Sequence, residues 1–409
     1  MIEIVVDLVA DQIHDSHSPH ESKVLNLTPL LACCLVSKAF LHPARRRVYR
    51  SLAVSINESG QLTPPKLPLT IKTCPHLAQL VRSIILKRGD VLSPTEVELA
   101  DAASTILRSF RGLQDFWLDN FCVDDNYEST WTELRDMEVS HLVFAVAANS
   151  AALRSLSLSN ISLARYDAFI PLAGFLWEQH SLDSIVIKSV RWPKRENVAW
   201  GEPAPKALRL KTLEWSLDAT DGDARLAFKF LTNSSKNSLD SMVLQSGYGS
   251  DPLYFTRLAN LASLEWRIEW PARDLRPDFT NSHLRYLERT ENIQELTISF
   301  YTVDGPDAHF PLTTAIAHLD FLPRDFKFLS LSFIQPSIVL LSVFKKLCSG
   351  LVQLEISGPE RADWDLWTPE VIDGLEWACK RRRVELVGGW EDSWSENEAS
   401  EESSGEKLR

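Results

Sequence analysis

A recurring six-residue phrase constrains the fold of this 409-residue chain more than any other feature of its sequence. The clearest copy, LRSLSLSN from Leu153 to Asn160, has the form Leu-x-x-Leu-x-Leu-x-Asn. Looser copies begin at Leu113, Leu182, Leu210, Leu239, Leu261, Ile293, Phe326 and Leu351, and the segment Leu77–Leu86 is a candidate first member. Apolar triples are common by chance in a chain that is 44% hydrophobic. The recurrence at intervals of about 22 to 40 residues therefore carries the inference.

The segments between the phrases have helical character, such as DARLAFKFLTNSSKNS before Leu239. Each repeat then pairs one short strand with one helix or irregular segment, and neither can bury its apolar face alone. Stacking solves this problem and predicts an α/β fold, an irregular leucine-rich-repeat-like solenoid with a parallel sheet on its concave side. A Rossmann-like α/β domain is the competing fold, and nine or ten near-identical strand phrases exceed what its sheet needs.

In this phrase the apolar residues point inward, and the residue between the last two points out of the sheet. The rule selects a row of exposed positions: Trp117, Ser157, Val186, Glu214, Val243, Glu265, Thr297, Ser330 and Glu355. From this row and its neighbours we predict partner contacts at Trp117, Glu214, Glu265, Arg267, Glu295 and Glu355. The glutamates favour a basic segment of a partner protein. The alternative, that exposed strand positions are simply polar, stays open.

The first fifty residues carry more apolar surface than a unit of that size can bury by itself. A short helix over residues 3–14 has a wide apolar face. A second helix is predicted to begin at Thr28, the cap, and Pro29, the first helical position, and to run through LLACCLVSKAF. A third segment, AFLHPARRRVYRSL, is interrupted by Pro43. The excess apolar surface must meet the following domain or another protein.

These segments resemble the F-box-like module that is common in fungal proteins. Its second half has the pattern Leu-x-x-Cys-x-Leu-Val-Ser-Lys-x-Trp, and the matching residues here are Leu30, Cys33, Leu35, Val36, Ser37 and Lys38. Phe40 stands where Trp is usual, and the opening Leu-Pro of the module is absent. The resemblance covers roughly residues 2–52, and degenerate leucine-rich repeats follow the module in the same fungal proteins.

The resemblance implies docking onto a Skp-type adaptor and, through it, a cullin-based ubiquitin ligase. The residues expected to contact the adaptor are Ile4, Leu8, Ile13, Leu30, Leu31, Cys34, Leu35, Val36 and Phe40. The solenoid would then bind a client protein, and the chain itself would not be an enzyme. The alternative is a non-catalytic leucine-rich-repeat scaffold whose helical N-terminal segment only caps the solenoid.

The predicted organisation has four parts: an F-box-like helical module at 1–55, a Pro-rich connector at 56–75, the solenoid at 76–387 and a disordered acidic tail at 388–409. A net charge of −12 argues against nucleic acid and anionic membranes as partners. No apolar run is long enough for a membrane span, and six scattered cysteines indicate reduced thiols, hence a cytoplasmic or nuclear protein.

The sequence contains no recognisable motif for catalysis or cofactor binding. It lacks a phosphate-binding glycine loop, a Gly-x-Ser-x-Gly elbow and a His-Glu-x-x-His pair. The one histidine cluster, His14, His17 and His20, has no carboxylates or thiolates at zinc-finger spacing. We therefore expect no metal and no cofactor.

Overall fold

A computed structural model describes part of the chain. The described residues are 32, 35, 37–56, 62–88, 106–121, 142, 146, 152–162, 176, 181–191, 208–217, 224–246, 258, 260–270, 292–302, 327–332, 350–357 and 369–388. The chain divides into two compact units, Met1–Val198 and Ala199–Arg409. This division within the repeat region was not among the boundaries expected from the sequence.

The described residues of the first unit include three helices and six strands with defined bounds. The helices are α1 (Lys38–Val48), α2 (Leu67–Thr73) and α3 (Pro75–Ala78). The strands are β1 (Ser51–Ile56), β2 (Leu62–Thr63), β3 (Ser83–Arg88), β4 (Asp115–Phe121), β5 (Ser155–Ser162) and β6 (Ser184–Arg191). The strand order is β2-β1-β3-β4-β5-β6, and of these described strands only the short β2 is antiparallel to its neighbour.

The second unit has seven strands and two helices among its described residues. The strands are β7 (Thr212–Leu217), β8 (Ser241–Ser246), β9 (Ser263–Trp270), β10 (Glu295–Thr302), β11 (Phe328–Ser332), β12 (Gln353–Ser357) and β13 (Glu385–Gly388). The helices are α4 (Ala224–Ser234) and α5 (Pro369–Arg382). All seven strands are parallel and lie in chain order.

The architecture of both units confirms the predicted α/β class with a parallel, solenoid-like sheet. Within each unit the sheet grows in one direction along the chain, apart from β2. A doubly wound α/β sheet would reverse its strand order at a switch point. The competing Rossmann-like arrangement is therefore excluded for the described strands.

The strands lie where the repeated phrase predicts them. From β4 to β12, each strand begins two residues after the first apolar residue of its phrase. In the clearest copy, Leu153, Leu156 and Leu158 are each at most 1% exposed. The two inward tryptophans, Trp215 and Trp266, are buried as well, and the Trp215 ring meets the ring of Phe228 in α4 edge-on at 5.5 Å between centroids.

At most of the strand entries, one backbone carbonyl joins successive repeats. The Arg50 carbonyl accepts hydrogen bonds from the amides of Arg82 and Ser83, at 2.8 and 3.0 Å. The same paired contact recurs at the carbonyls of Arg82, Gln114, Arg154, Lys211, Asp240, Ala262, Gln294 and Lys327. A carbonyl oxygen has two lone pairs, so one acceptor satisfies two amides that would otherwise be unpaired. These carbonyls form a ladder along the strand entries of each unit.

A shared backbone kink changes the alternation of side chains near the ends of β5 and β6. Asn160 and Ser189 both have positive φ, 51° and 49°, and they occupy equivalent positions in the two strands. Asn tolerates this left-handed conformation better than most residues. After the kink, Ile161 and Val190 point inward and are buried, which extends the core beyond the phrase.

The N-terminal region differs from the expectation in two respects. Residues 51–56 form β1, which pairs in parallel with β3, where a helical module reaching residue 55 was expected. The spacing Tyr49-x-x-Leu52-x-Val54 matches the repeated phrase, and Val54 is buried. Pro43 lies inside α1 without ending it. Pro43 has no amide hydrogen to donate to the carbonyl of Ala39. Ala39 is exposed, so water can donate a hydrogen bond to that carbonyl instead.

Neighbouring residues in β5 provide a direct test of the inward and outward assignment. Leu156→Ala is expected to lower the free energy of unfolding by about 2–5 kcal/mol, because it leaves a cavity among buried side chains. Ser157→Ala, on the opposite face, should change the free energy of unfolding by less than about 0.5 kcal/mol. Urea unfolding followed by circular dichroism measures both changes. Similar losses for the two variants would contradict the assignment.

Candidate functional site

The exposed face of the first unit carries an apolar row at its centre. Ala53, Ile85, Trp117, Ser157 and Val186 are consecutive partners across β1, β3, β4, β5 and β6, and we call them the apolar row. Trp117 is 40% exposed, and tryptophan is enriched among the residues that contribute most to binding at protein interfaces. The apolar row therefore offers a rigid aromatic group on the exposed face of the sheet.

A charged row lies beside the apolar row, two residues further along each strand. Lys87, Asp119 and Lys188 occupy its register positions together with two serines. The Lys87 Nζ lies 3.4 Å from Asp119 Oδ2, and Asn160 Nδ2 donates a hydrogen bond of 3.3 Å to Asp119 Oδ1. These contacts hold the carboxylate of Asp119 in place next to Trp117.

The exposed face of the second unit carries a row with different chemistry. We call it the acidic row: Glu214, Val243, Glu265, Thr297, Ser330, Glu355 and Val387, which are consecutive partners from β7 to β13. Parallel strands lie about 4.8 Å apart, so Glu214 and Glu265 are separated by about 10 Å. The predicted row positions are thus brought together in register within each unit.

Two further predicted contacts flank the acidic row. Arg267 lies two residues after Glu265 on the same face, and its Nε donates to Glu265 Oε1 at 2.6 Å. This pair offsets one negative charge of the row. Glu295 is exposed at the start of β10, in register with Ser263 and Phe328. The net character of this surface remains acidic.

Two apolar side chains on this face were missed by the sequence prediction. Phe328 is 39% exposed and lies between Glu295 and Gln353 in register, while Val387 is 38% exposed beside Glu355. The exposure of Phe328 could have been predicted from the sequence. Phe328 is the first strand residue of its phrase, two residues before Ser330, so both side chains lie on the outward face. The last strands of this unit therefore combine apolar and acidic groups.

Only two of the predicted adaptor contacts fall on described residues. Leu35 is helical and 88% exposed. Phe40 is partly buried in the first turn of α1, and its amide donates to the Ser37 carbonyl at 3.1 Å. The other seven, Ile4, Leu8, Ile13, Leu30, Leu31, Cys34 and Val36, lie outside the described residues, as do His14, His17 and His20.

Asp115 has a perturbed carboxyl group at the start of β4. Burial raises the pKa of Asp115 above its ordinary value of 3.8, because desolvation disfavours the carboxylate. The positive charges of Arg50 and Arg154 act in the opposite direction on this pKa. Both arginines belong to the carbonyl ladder at the strand entries, which places their charges near this edge of the sheet.

In the part of the chain that the structure describes, no three His, Cys, Asp or Glu side chains are grouped to hold a metal ion. No helix among the same residues is long and apolar enough to cross a membrane.

The chain was compared with protein-family models and with curated proteins. It matches no family model and no curated protein.

The perturbed carboxyl group predicts a pH-dependent stability difference. The folded state binds the Asp115 proton more tightly than the unfolded state, so this group reduces stability as the pH rises from 3.8 through the raised pKa. Asp115→Asn is therefore expected to have a higher Tm than the wild type at pH 7, with a difference that narrows toward pH 4. A lower Tm for the variant at pH 7 would show that Arg50 and Arg154 outweigh burial.

Proposed function

We propose that the chain is a substrate-recognition subunit of a cullin-type ubiquitin ligase, in which the N-terminal helices bind a Skp-type adaptor and the exposed sheet faces bind a client. The observation that carries the proposal is the exposure of Leu35, at 88%, within a stretch that resembles an F-box. Full burial of a leucine is worth about 1.5–3 kcal/mol, which favours covering this side chain with a partner.

The position of α1 supports the coupling that such a subunit requires. Three residues after α1 ends, the chain enters β1, and β1 pairs along its whole length with β3. A partner held at α1 is thus joined through a short connection to the sheet that carries the apolar row. This link can fix the orientation of a bound client relative to the adaptor.

The two exposed rows support binding of a client protein, one through an apolar contact and the other through charge. Trp117 in the apolar row has the size and rigidity of an interface anchor. The acidic row, with Glu214, Glu265 and Glu355, favours a basic partner segment through electrostatic complementarity. In this proposal the leucine-rich repeats recognise the client, and bond-making chemistry belongs to the other ligase subunits.

The second candidate function is an interaction scaffold without a ligase link. The pairing of β1 with β3 favours it, because the helical segment then leads directly into the sheet and can serve as its cap. The two candidates differ in one respect that can be measured, which is whether Leu35 contacts an adaptor.

A pull-down of the full chain with a purified Skp-type adaptor distinguishes the two candidates. Leu35→Asp is expected to weaken adaptor binding at least about tenfold, because it places a charge at a desolvated contact. Leu69→Asp provides a matched control, since Leu69 is 61% exposed in α2 and lies outside the F-box-like stretch. The control variant should bind like the wild type.

Two outcomes would contradict the ligase proposal. One is an undetectable wild-type interaction with several adaptors at micromolar concentrations. The other is equal binding by Leu35→Asp and the wild type, provided that circular dichroism shows both to be folded. Either outcome leaves the scaffold as the better account.

A further inference from the structure

An open cleft in the first unit has a lining dominated by arginine. Its volume is about 390 Å³, which lies within the range of small-ligand sites. The side chains that matter for its chemistry are Arg46, Arg47, Arg50, Arg82, Gln114 and Leu80. Among the residues that the structure describes, no acidic side chain lines the cleft. Four guanidinium groups therefore share one concave site in a chain whose net charge is −12.

The carbonyl ladder explains why these arginines meet. Arg50, Arg82 and Gln114 are consecutive members of the ladder, although they are more than thirty residues apart in sequence. Helix α1 ends just before Arg50, so its last turn brings Arg46 and Arg47 to the same edge. The cleft is thus assembled from one helix end and three successive strand entries.

Arg82 is held in position by the backbone around it. Its Nη1 donates hydrogen bonds to the carbonyls of Gln79, Val81 and Gly112, at 3.1, 3.3 and 3.0 Å. A Cβ at position 112 would collide with this guanidinium, so glycine permits the approach. An anchored guanidinium loses little further freedom when it binds a ligand.

The charges around the cleft favour an anion. The helix C-terminus carries only a partial negative charge, which suits the basic residues of the last turn but is smaller than the positive charge of Arg46, Arg50 and Arg82 together. Asp115 follows Gln114 in sequence and interacts electrostatically with Arg50, but it does not line the cleft. Mutual repulsion of the guanidinium groups would be relieved by a bound group of high negative charge.

We propose that this cleft binds a phosphate ester, carried either by a small organic phosphate or by a phosphorylated side chain. A phosphate group near neutral pH has a charge between −1.5 and −2 and three acceptor oxygens, so it can bind more than one guanidinium at once. A carboxylate has one charge and two oxygens, so it can bind fewer guanidinium groups at once. The inference does not depend on the ligase proposal.

Isothermal titration of the full chain tests this site with two probes: inorganic tripolyphosphate and a ten-residue peptide with one phosphoserine. The wild type is expected to bind at least one of them, and Arg46→Gln/Arg50→Gln should weaken that binding at least tenfold. Lys38→Gln/Arg45→Gln is the matched control, because both residues are exposed on the same helix and do not line the cleft. The control removes the same net charge, but from outside the cleft, where salt screens its effect on a bound ligand. It should therefore change the Kd less than about twofold.

A second variant separates geometry from charge. Arg46→Lys/Arg50→Lys keeps both charges but loses the bidentate guanidinium contacts, so an intermediate loss of affinity is expected. It also keeps the test informative if the glutamine variant unfolds, which circular dichroism would detect. The phosphopeptide is compared with its unphosphorylated form and with the same peptide carrying glutamate at that position.

Each result bears on the proposal. Binding of tripolyphosphate alone assigns the site to small phosphates, and binding of the phosphopeptide alone assigns it to a phosphorylated protein. Equal losses in the cleft variant and the control variant would show unspecific charge attraction and overturn the site. No binding of either probe at millimolar concentration, or equal binding of the glutamate and phosphoserine peptides without tripolyphosphate binding, would overturn it as well.

Discussion

The register of each sheet depends on one backbone contact, the carbonyl at a strand entry that accepts two amides from the next repeat. Although the repeats differ in length, their strands begin at equivalent positions in the sheet, because this contact fixes the start of each strand relative to the one before it. A slip of one residue would turn the buried leucines outward and the exposed rows inward, which the core would not tolerate. The contact therefore determines both the core and the surfaces available for binding.

The same register gives the exposed faces their chemical character. Residues that are far apart in sequence, such as Ile85, Trp117 and Val186, become near neighbours because they occupy equivalent positions. In the second unit three of the seven equivalent positions carry glutamates, and at the strand entries of the first unit three of the four ladder positions carry arginines. A binding surface in this fold is set by one position of the repeat, and it can change from strand to strand without altering the core.

The sequence predicted the strands from β3 to β12 and the inward face of each apolar triple, because the triple has the same meaning in every repeat. It did not predict β1, since the arginine-rich approach to Tyr49 has a helical pattern that hides the strand phrase. It did not predict the arginine cleft either, because that site needs α1 to end beside Arg50 and needs Gly112 to admit Arg82. Such contacts depend on loop conformation, and the repeat pattern says nothing about it. The adaptor contacts rest on the resemblance, with Leu35 and Phe40 the two that fall on described residues.

Disulfide trapping in the first unit tests the in-register sheet most directly. Ser157→Cys and Val186→Cys place two thiols on directly opposed partners, with Cα atoms about 5 Å apart, which suits a disulfide. In the control pair, Ser157→Cys with Lys188→Cys, the Cα atoms are about 8 Å apart, which is too far for a bridge. The account predicts rapid oxidation of the first pair only, read by peptide mapping with mass spectrometry. A disulfide in the control pair, with none in the first, would contradict the register and every surface that follows from it.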